Sequence, residues 1–556
     1  MRTFNGLQIF TEQLTNSGQL DARYIIKSQV LGPEGQADFG INSYIKPNSA
    51  GSVIAGGDSN QALNSFGGIG GGTSNSVGYY GFVGGGTSNR ATGDFAVIGG
   101  GWRNFAAPGP YITIGGGLFN CSTGYSSVIV GGENHCSAGN HSTVGGGRSN
   151  YAKANCSTIA GGWMSCTFGN NSFIGGGYCN AVLGNHSNVL GGLCNKACGN
   201  YASILGGQKN YAGQTGQCLS IVVGGYQNKA CSDGSFIGGG RYNSTEGELS
   251  IVVGGINNHV YNGYMSFIGG GGYNQIRGSY TNIAGGFGNV ACKAYSNIGG
   301  GYSNDISANY SNIGGGCKNS IVEDYSFIGG GFQNYSSGGY SAVVGGSCNN
   351  VSANFSVVVG GFHNSIGEAY YSSIGGGYYN SVTKNYANIA GGSNNSAAGE
   401  YSTVGGGVAN CAMEYSSTVG GGICNSATAN NATIGGGCYN VAQGLNSVIA
   451  GGERNCALAS YSYIIGGRCS VISISHSGSS VLGDGQNRVH NSSGPHTLTL
   501  DFVSGVYIKN GAIIANTSYV PSSYSSFGVS GQLAFDKNYL YRHNGTNWTR
   551  TAMSIW

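Results

Sequence analysis

The heptapeptide YSNIGGG fills positions 295–301 and returns unchanged at 310–316, fifteen residues on. The echo runs through most of the chain. Aligned on the pattern Ile/Val-x-Gly-Gly-x-x-Asn, positions 54–470 hold 28 copies, and 22 of the 27 spacings are 15 residues. Every copy has the Gly-Gly pair with Ile or Val two places before it, as at Ile54, Val144, Ile298 and Ile464. The Asn position is Asn in 25 copies; His135, Ser165 and Ser470 are the exceptions. A short fixed period is the signature of a solenoid, because one such repeat cannot bury a core alone and must stack on its neighbours.

With the Asn numbered zero, the even offsets alternate with the odd ones. Offset −8 is small (Ser296, Ser311, Ser326, Ser341), −6 is the Ile or Val, −4 is Gly, and +2 is mostly Ala, Val or Ile (Ala291, Ile306, Ile321, Ala397). Period-two alternation predicts strands with the even residues facing inward. Odd offsets vary freely except −9, which is aromatic in 15 copies, nine of them consecutive from Tyr280 through Tyr401. Fifteen residues then make two short strands and two turns, with backbone groups satisfied by parallel ladders between coils. Glycine serves turns with positive φ and close strand approach, and the inward Asn predicts a hydrogen-bonded side-chain ladder. The expected fold is an all-β parallel β-solenoid, a β-roll of 28 coils that at roughly 4.8 Å per coil is about 130 Å long.

Composition supports this reading by exclusion. Glycine supplies 110 of 556 residues, but a period other than three and only six prolines exclude collagen. Charged residues are 8% and apolar ones 40%, the reverse of a disordered chain. A thinly scattered net charge of +3 provides no basic patch for nucleic acid. No run of 18 apolar residues occurs and the opening MRTFNGLQIFTEQL is unlike a secretory signal, so no membrane insertion is expected. With an odd cysteine count of 17, these features predict free thiols in a chain folded in a reducing cytoplasm. Within that set Cys121 and Cys136 share offset +1 on adjacent coils, and Cys179 and Cys194 share offset −1, which places each pair within disulfide range.

Each coil's core is thin, one branched residue and one small one, which argues for a partner surface. Offset −3 is always Gly and −5 is Gly or Ala in 20 copies. Such a flat strip admits another chain's backbone, and the aromatic column can pack across the seam. A homo-oligomer around a central axis is therefore expected. Residues 1–50 break the period and read as a cap or attachment segment, since a solenoid end is an open edge. Residues 51–470 are the shaft. Residues 471–556, including HTLTLDFVSGVYIKNGAIIA, read as a small β domain of alternating strands, a tip or trimerisation unit. The coil between Asn210 and Asn228 is three residues longer than the others, so AGQTGQCL should bulge outward.

The coil pattern YSxIGGGxxNxAxG resembles the repeats of trimeric autotransporter adhesin heads, which implies a β-roll assembled as a trimer. Similar repeats occur in phage fibre proteins. The end of the chain, GQLAFDKNYLYRHNGTNWTRTAMSIW, resembles the closing segment of phage structural and fibre proteins, through Gly531, Ala534, Asp536, Tyr539, Leu540, Tyr541, Trp548, Arg550 and Trp556. This resemblance implies a virion fibre assembled in the host cytoplasm and displayed on the virion surface. Other virion proteins would hold its N-terminus, and its far end would meet a host-surface glycan or protein. Tyr539, Tyr541, Trp548 and Trp556 are the candidate receptor-contact or cap aromatics, since aromatic anchors dominate binding surfaces. A bacterial surface adhesin is the alternative, but residues 471–556 lack the strand series of a membrane-anchoring barrel.

A sugar-cleaving spike is the third reading. It needs two carboxylates about 5–10 Å apart in a groove, and the nearest candidates, Glu400 with Glu414 and Glu246 with Glu248, sit in turn segments. The glycine runs lack the Lys-Ser/Thr of phosphate loops and the nine-residue Asp spacing of calcium repeats. CNKAC at 194–198 lacks a second pair for zinc. Offset −7 is too varied for a flat ice-binding column of Thr. No catalytic, cofactor or metal residue is assigned, and the chain is expected not to be an enzyme.

Overall fold

The computed structural model describes residues 35–483, 490–501, 533–535, 539–544 and 546–552. Among these there is no helix; the chain winds through about 30 coils of parallel β-solenoid.

The coil at 297–311 shows the plan. Strand Asn297–Ile298 leads through Gly299, Gly300 and Gly301 to Tyr302, then a corner at Ser303 and the buried Asn304. Strand Asp305–Ile306 follows, and a second corner at Tyr310 returns the chain to Ser311. Both strands stack in register on the next coil, Ile298 opposite Ile313 and Ile306 opposite Ile321. Between them a third ladder of single residues runs along the molecule, with Tyr302 opposite Cys317 and Cys317 opposite Phe332. The coil thus has three hydrogen-bonded sides where two were expected. Asn297, Gly299, Tyr302, Asp305 and Ser307 donate their N–H groups to the following coil, while Ser303 and Tyr310 donate to the preceding one. Corners bonded in the reverse direction clamp each coil from both sides.

The predicted core is present. The Ile or Val at −6 and the residue at 0 are at most 2% exposed in every copy, and offset +2 is buried throughout. The apolar side chains among them form one cluster from Ile54 to Val481. The alternation fails at −4. A Cβ on Gly315 would meet nothing within 4 Å, so this position faces outward; the strand ends at −6 and the backbone turns after it. Backbone conformation explains glycine in part: Gly270, Gly300, Gly376 and Gly406 have φ of +146 to +154, a region open essentially to Gly alone. The Gly at −3 has φ between +82 and +101 in all copies. A Cβ there, on Gly316 for example, would collide with the Gly331 carbonyl oxygen and sit 2.6 Å from Asn319 Nδ2. Stacking within one chain therefore accounts for the −3 glycines that the sequence suggested as an approach strip for another chain.

Two further left-handed positions recur in each coil, at −1 and −9, and most hold side chains, such as Ser303 (φ +51) and Tyr310 (φ +53). Each costs about 1 kcal/mol relative to Gly. The corner turns the side chain outward, where it meets its counterpart on the next coil.

The inward Asn forms the predicted ladder. Asn319 N–H donates to Asn304 Oδ1 at 3.0 Å, and its Nδ2 donates to the Gly315 carbonyl at 2.9 Å and to the Gly331 carbonyl of the next coil at 3.1 Å. Two of the exceptions keep the acceptor role alone: Asn150 N–H donates to His135 Nδ1 at 3.1 Å, and Asn180 N–H to Ser165 Oγ at 3.4 Å, whereas Ser470 Oγ donates to the Gly466 carbonyl at 3.4 Å.

The ladders run past both boundaries read from the sequence. Ala37–Asp38 and Tyr44–Ile45 already pair in parallel with Val53–Ile54 and Gln61–Ala62, with Ser43 Oγ accepting Asn60 N–H at 3.1 Å in place of an Asn. Beyond position 470, Ser480–Gly483 pairs in parallel with Leu498–Asp501, so part of the segment read as a separate β domain extends the solenoid. The KNG turn at 509–511 lies outside the described residues. The long coil keeps register by carrying its extra residues as a turn, with residues 214–216 exposed.

Candidate binding surfaces

The −9 corners build one continuous surface feature. From Tyr280 to Tyr401 nine rings stack on one another, with centroids 4.7–5.3 Å apart and planes within 2–11° of parallel. They are 40–54% exposed. The spacing follows from the coil rise, and the left-handed corner sets every side chain in the same direction. A second run, Phe66, Tyr80, Phe95 and Tyr111, stacks in the same way. Burial within the stack and the neighbouring phenols of Tyr340 and Tyr310 push the Tyr325 hydroxyl above the ordinary range. Interior rings have both faces covered by neighbours, so they present edges and hydroxyls outward. Face-on stacking of a sugar ring, which needs an open π-face, is restricted to the ends of each run.

In the coils between these two runs, at the position just before the −9 corner, lies a second polar column that the sequence reading missed. At offset +5, Asn140 N–H donates to Asn155 Oδ1, Asn155 N–H to Asn170 Oδ1 and Asn170 N–H to Asn185 Oδ1, at 2.8–3.1 Å. Asn140, Asn155, Asn170, Asn185 and Asn200 recur every 15 residues, and that signal was present in the sequence.

The terminal segment forms its own antiparallel sheet of Leu533–Phe535, Tyr539–His543 and Trp548–Ala552. Its turn is closed by Asn544, whose Oδ1 accepts the N–H groups of Thr546 and Asn547 at 3.0 and 2.7 Å. Register puts Tyr539, Tyr541, Trp548 and Arg550 on one face. Trp548 and Tyr541, 3% and 8% exposed, are the core of this small sheet, and Tyr539 packs against them. The Arg550 guanidinium lies 4.5 Å from the Tyr539 ring centroid, a cation–π contact at the rim. Trp556, like Gly531 and Asp536, lies outside the described residues.

Glu246 does not turn to Glu248 but to the next coil, where its carboxylate lies 3.4 Å from His259 Nε2. Burial lowers the His259 pKa while Glu246 opposes the shift, and the imidazole stacks on Tyr261 at 3.7 Å. Among the described residues no group of three His, Cys, Asp or Glu side chains is placed to hold a metal ion, and no helix is long and apolar enough to cross a membrane. Models of known protein families and curated protein sequences give no match to this chain.

Proposed function

We propose that this chain is a non-enzymatic structural fibre of a virion, a homotrimeric spacer whose N-terminus is held by other virion proteins and whose far end helps contact the host surface. The observation that carries this reading is the parallel ladder itself, which runs from Ala37 to Leu498 with a single register shift between Ile464 and Gly466. Such a rod resists bending and separates its two ends, which is the mechanical task of a fibre. The exposed aromatic ladder supports a trimer seam: nine edge-on rings at a 4.7–5.3 Å repeat match the repeat of a second copy, and covering them removes a long apolar strip from water. The terminal sheet falls in the segment that resembles phage fibre ends, and its buried Tyr541 and Trp548 support a capping role, with Tyr539 and Arg550 forming the rim. The same coil pattern also supports a trimeric bacterial surface adhesin as the second reading. Mass spectrometry of purified virions separates the two: the fibre reading expects this chain as a particle component, and recovery from a bacterial surface fraction alone overturns it. Loss of polysaccharide viscosity on incubation with pure protein would overturn the non-enzymatic assignment.

A further inference from the structure

Two exceptions in the Asn ladder, His135 and Ser165, lie beside the chain's two stacked cysteine pairs. His135 has one ring nitrogen left where Asn has two amide hydrogens, and the Asn180–Ser165 bond is long at 3.4 Å. Cys136 follows His135 directly, and Cys179 precedes Asn180. We propose that Cys121 and Cys136 are a redox staple that closes one coil covalently onto the next, beside the point where His135 interrupts the Asn ladder. The inference needs only the coil register and is independent of the fibre reading.

The two cysteines are direct partners in the parallel second-strand ladder, with Ser122 opposite Ser137 after them. Opposed residues of neighbouring parallel strands are about 4.8 Å apart, inside the Cα range of roughly 4.4–6.8 Å that a disulfide takes. Ladder bonds hold both backbones, Cys121 N–H to the His135 carbonyl at 2.7 Å and Cys136 N–H to the Asn150 carbonyl at 2.9 Å. Both thiols are free and half-buried at the outward offset +1. The contact between the two thiols, with burial, pushes the Cys121 pKa up, while the same contact and the Lys153 charge pull that of Cys136 down to about 7. With the Lys153 charge favouring its thiolate, Cys136 is assigned as the nucleophile. Its thiolate attacks one sulfur of a small-molecule disulfide, and one thiolate leaves. Cys121 then loses its proton and attacks the Cys136 sulfur, expelling the second thiolate. The balance is one disulfide plus two cysteine thiols giving the Cys121–Cys136 bond plus two small thiols. Cys166, two coils along the same column beyond Tyr151, is an internal control, since burial pushes its pKa up to about 11.

The test uses the full chain, reduced and then incubated with oxidised glutathione under native conditions. It is followed by acid quench, alkylation and non-reducing peptide mapping. The expected product is a Cys121–Cys136 linked peptide, lighter by two hydrogens, formed faster as pH rises through about 7 and before any adduct at Cys166. Cys121→Ser should stop at a stable glutathione adduct on Cys136. In the linked protein, amide exchange in residues 121–150 should slow at least tenfold, with no change around 319–334. The proposal is overturned if the unsubstituted chain retains a glutathione adduct at Cys136, if linkage requires denaturant, or if Cys166 reacts at the same rate.

Discussion

Replacing Asn319 by Ala removes one rung of the buried ladder, and its cost can be worked from the bonds it makes. Asn319 Oδ1 accepts the Asn334 N–H at 3.0 Å, and no other acceptor serves that donor among the described residues. Its Nδ2 supplies the Gly315 carbonyl, which has no other donor among them, and the Gly331 carbonyl, which keeps the Cys317 N–H at 2.8 Å. Two groups are therefore orphaned, each costing about 1–3 kcal/mol when buried. The Gly315 carbonyl is partly exposed and recovers some of this from water, which leaves about 2–4 kcal/mol. Global melting is a poor assay, because a stack of coils opens locally. Hydrogen exchange resolved to the coils at 319 and 334 reads the effect directly, as roughly 30- to 700-fold faster exchange. Asn319→Ser should fall between the two, because Ser165 retains the bond to the next coil's N–H. Protection unchanged in Asn319→Ala, or lost equally in distant coils, would refute the reasoning.

Gly316→Ala should disrupt its coil, since the new Cβ strikes the Gly331 backbone. Gly315→Ala, facing open space, should change exchange protection far less, and equal damage from the two would contradict the assigned directions. Burial lowers the His135 pKa below its ordinary value, and the native ladder needs its neutral Nδ1 as acceptor. The unfolded chain therefore binds the proton first. Local stability at 135–150 should be constant above about pH 6.5, fall as pH drops below it, and flatten once the native imidazole also titrates. His135→Asn should abolish that dependence. Tyr325 stacks on Tyr310 and Tyr340 at a corner with φ +59. Tyr325→Gly should thus retain more local protection than Tyr325→Ala, by about 1 kcal/mol. If the ladder is a seam, either change should also lower the temperature at which the oligomer dissociates.

The coil register, the Ile/Val and Asn columns and the parallel class were legible because burial imposes the same residue at the same offset. The third ladder was not. Its residues, Tyr302, Cys317, Phe332 and Ser347, face outward and bond through the backbone alone, so nothing in their side chains marks them. The outward −4 Gly was misread because period-two alternation was carried one step past the end of the strand. Left-handed corners at Tyr and Ser gave no cue, since a sequence marks such turns only when Gly or Asn occupies them. The coil before Val53 escaped because Ser43 keeps one bond of the Asn it replaces. In the terminal segment the alternation of Tyr539, Tyr541, Trp548 and Arg550 was readable, whereas its inward sense depended on a third strand with little pattern of its own.

Small-angle X-ray scattering of the purified chain tests the central claim most directly, because one profile reports shape and mass together. A trimeric solenoid rod should have a longest dimension of at least about 130 Å, from coils rising roughly 4.8 Å each, and a forward-scattering mass of three 56.4 kDa chains. A compact globular profile would contradict the solenoid rod, and a rod with the mass of a single chain would contradict the trimeric fibre.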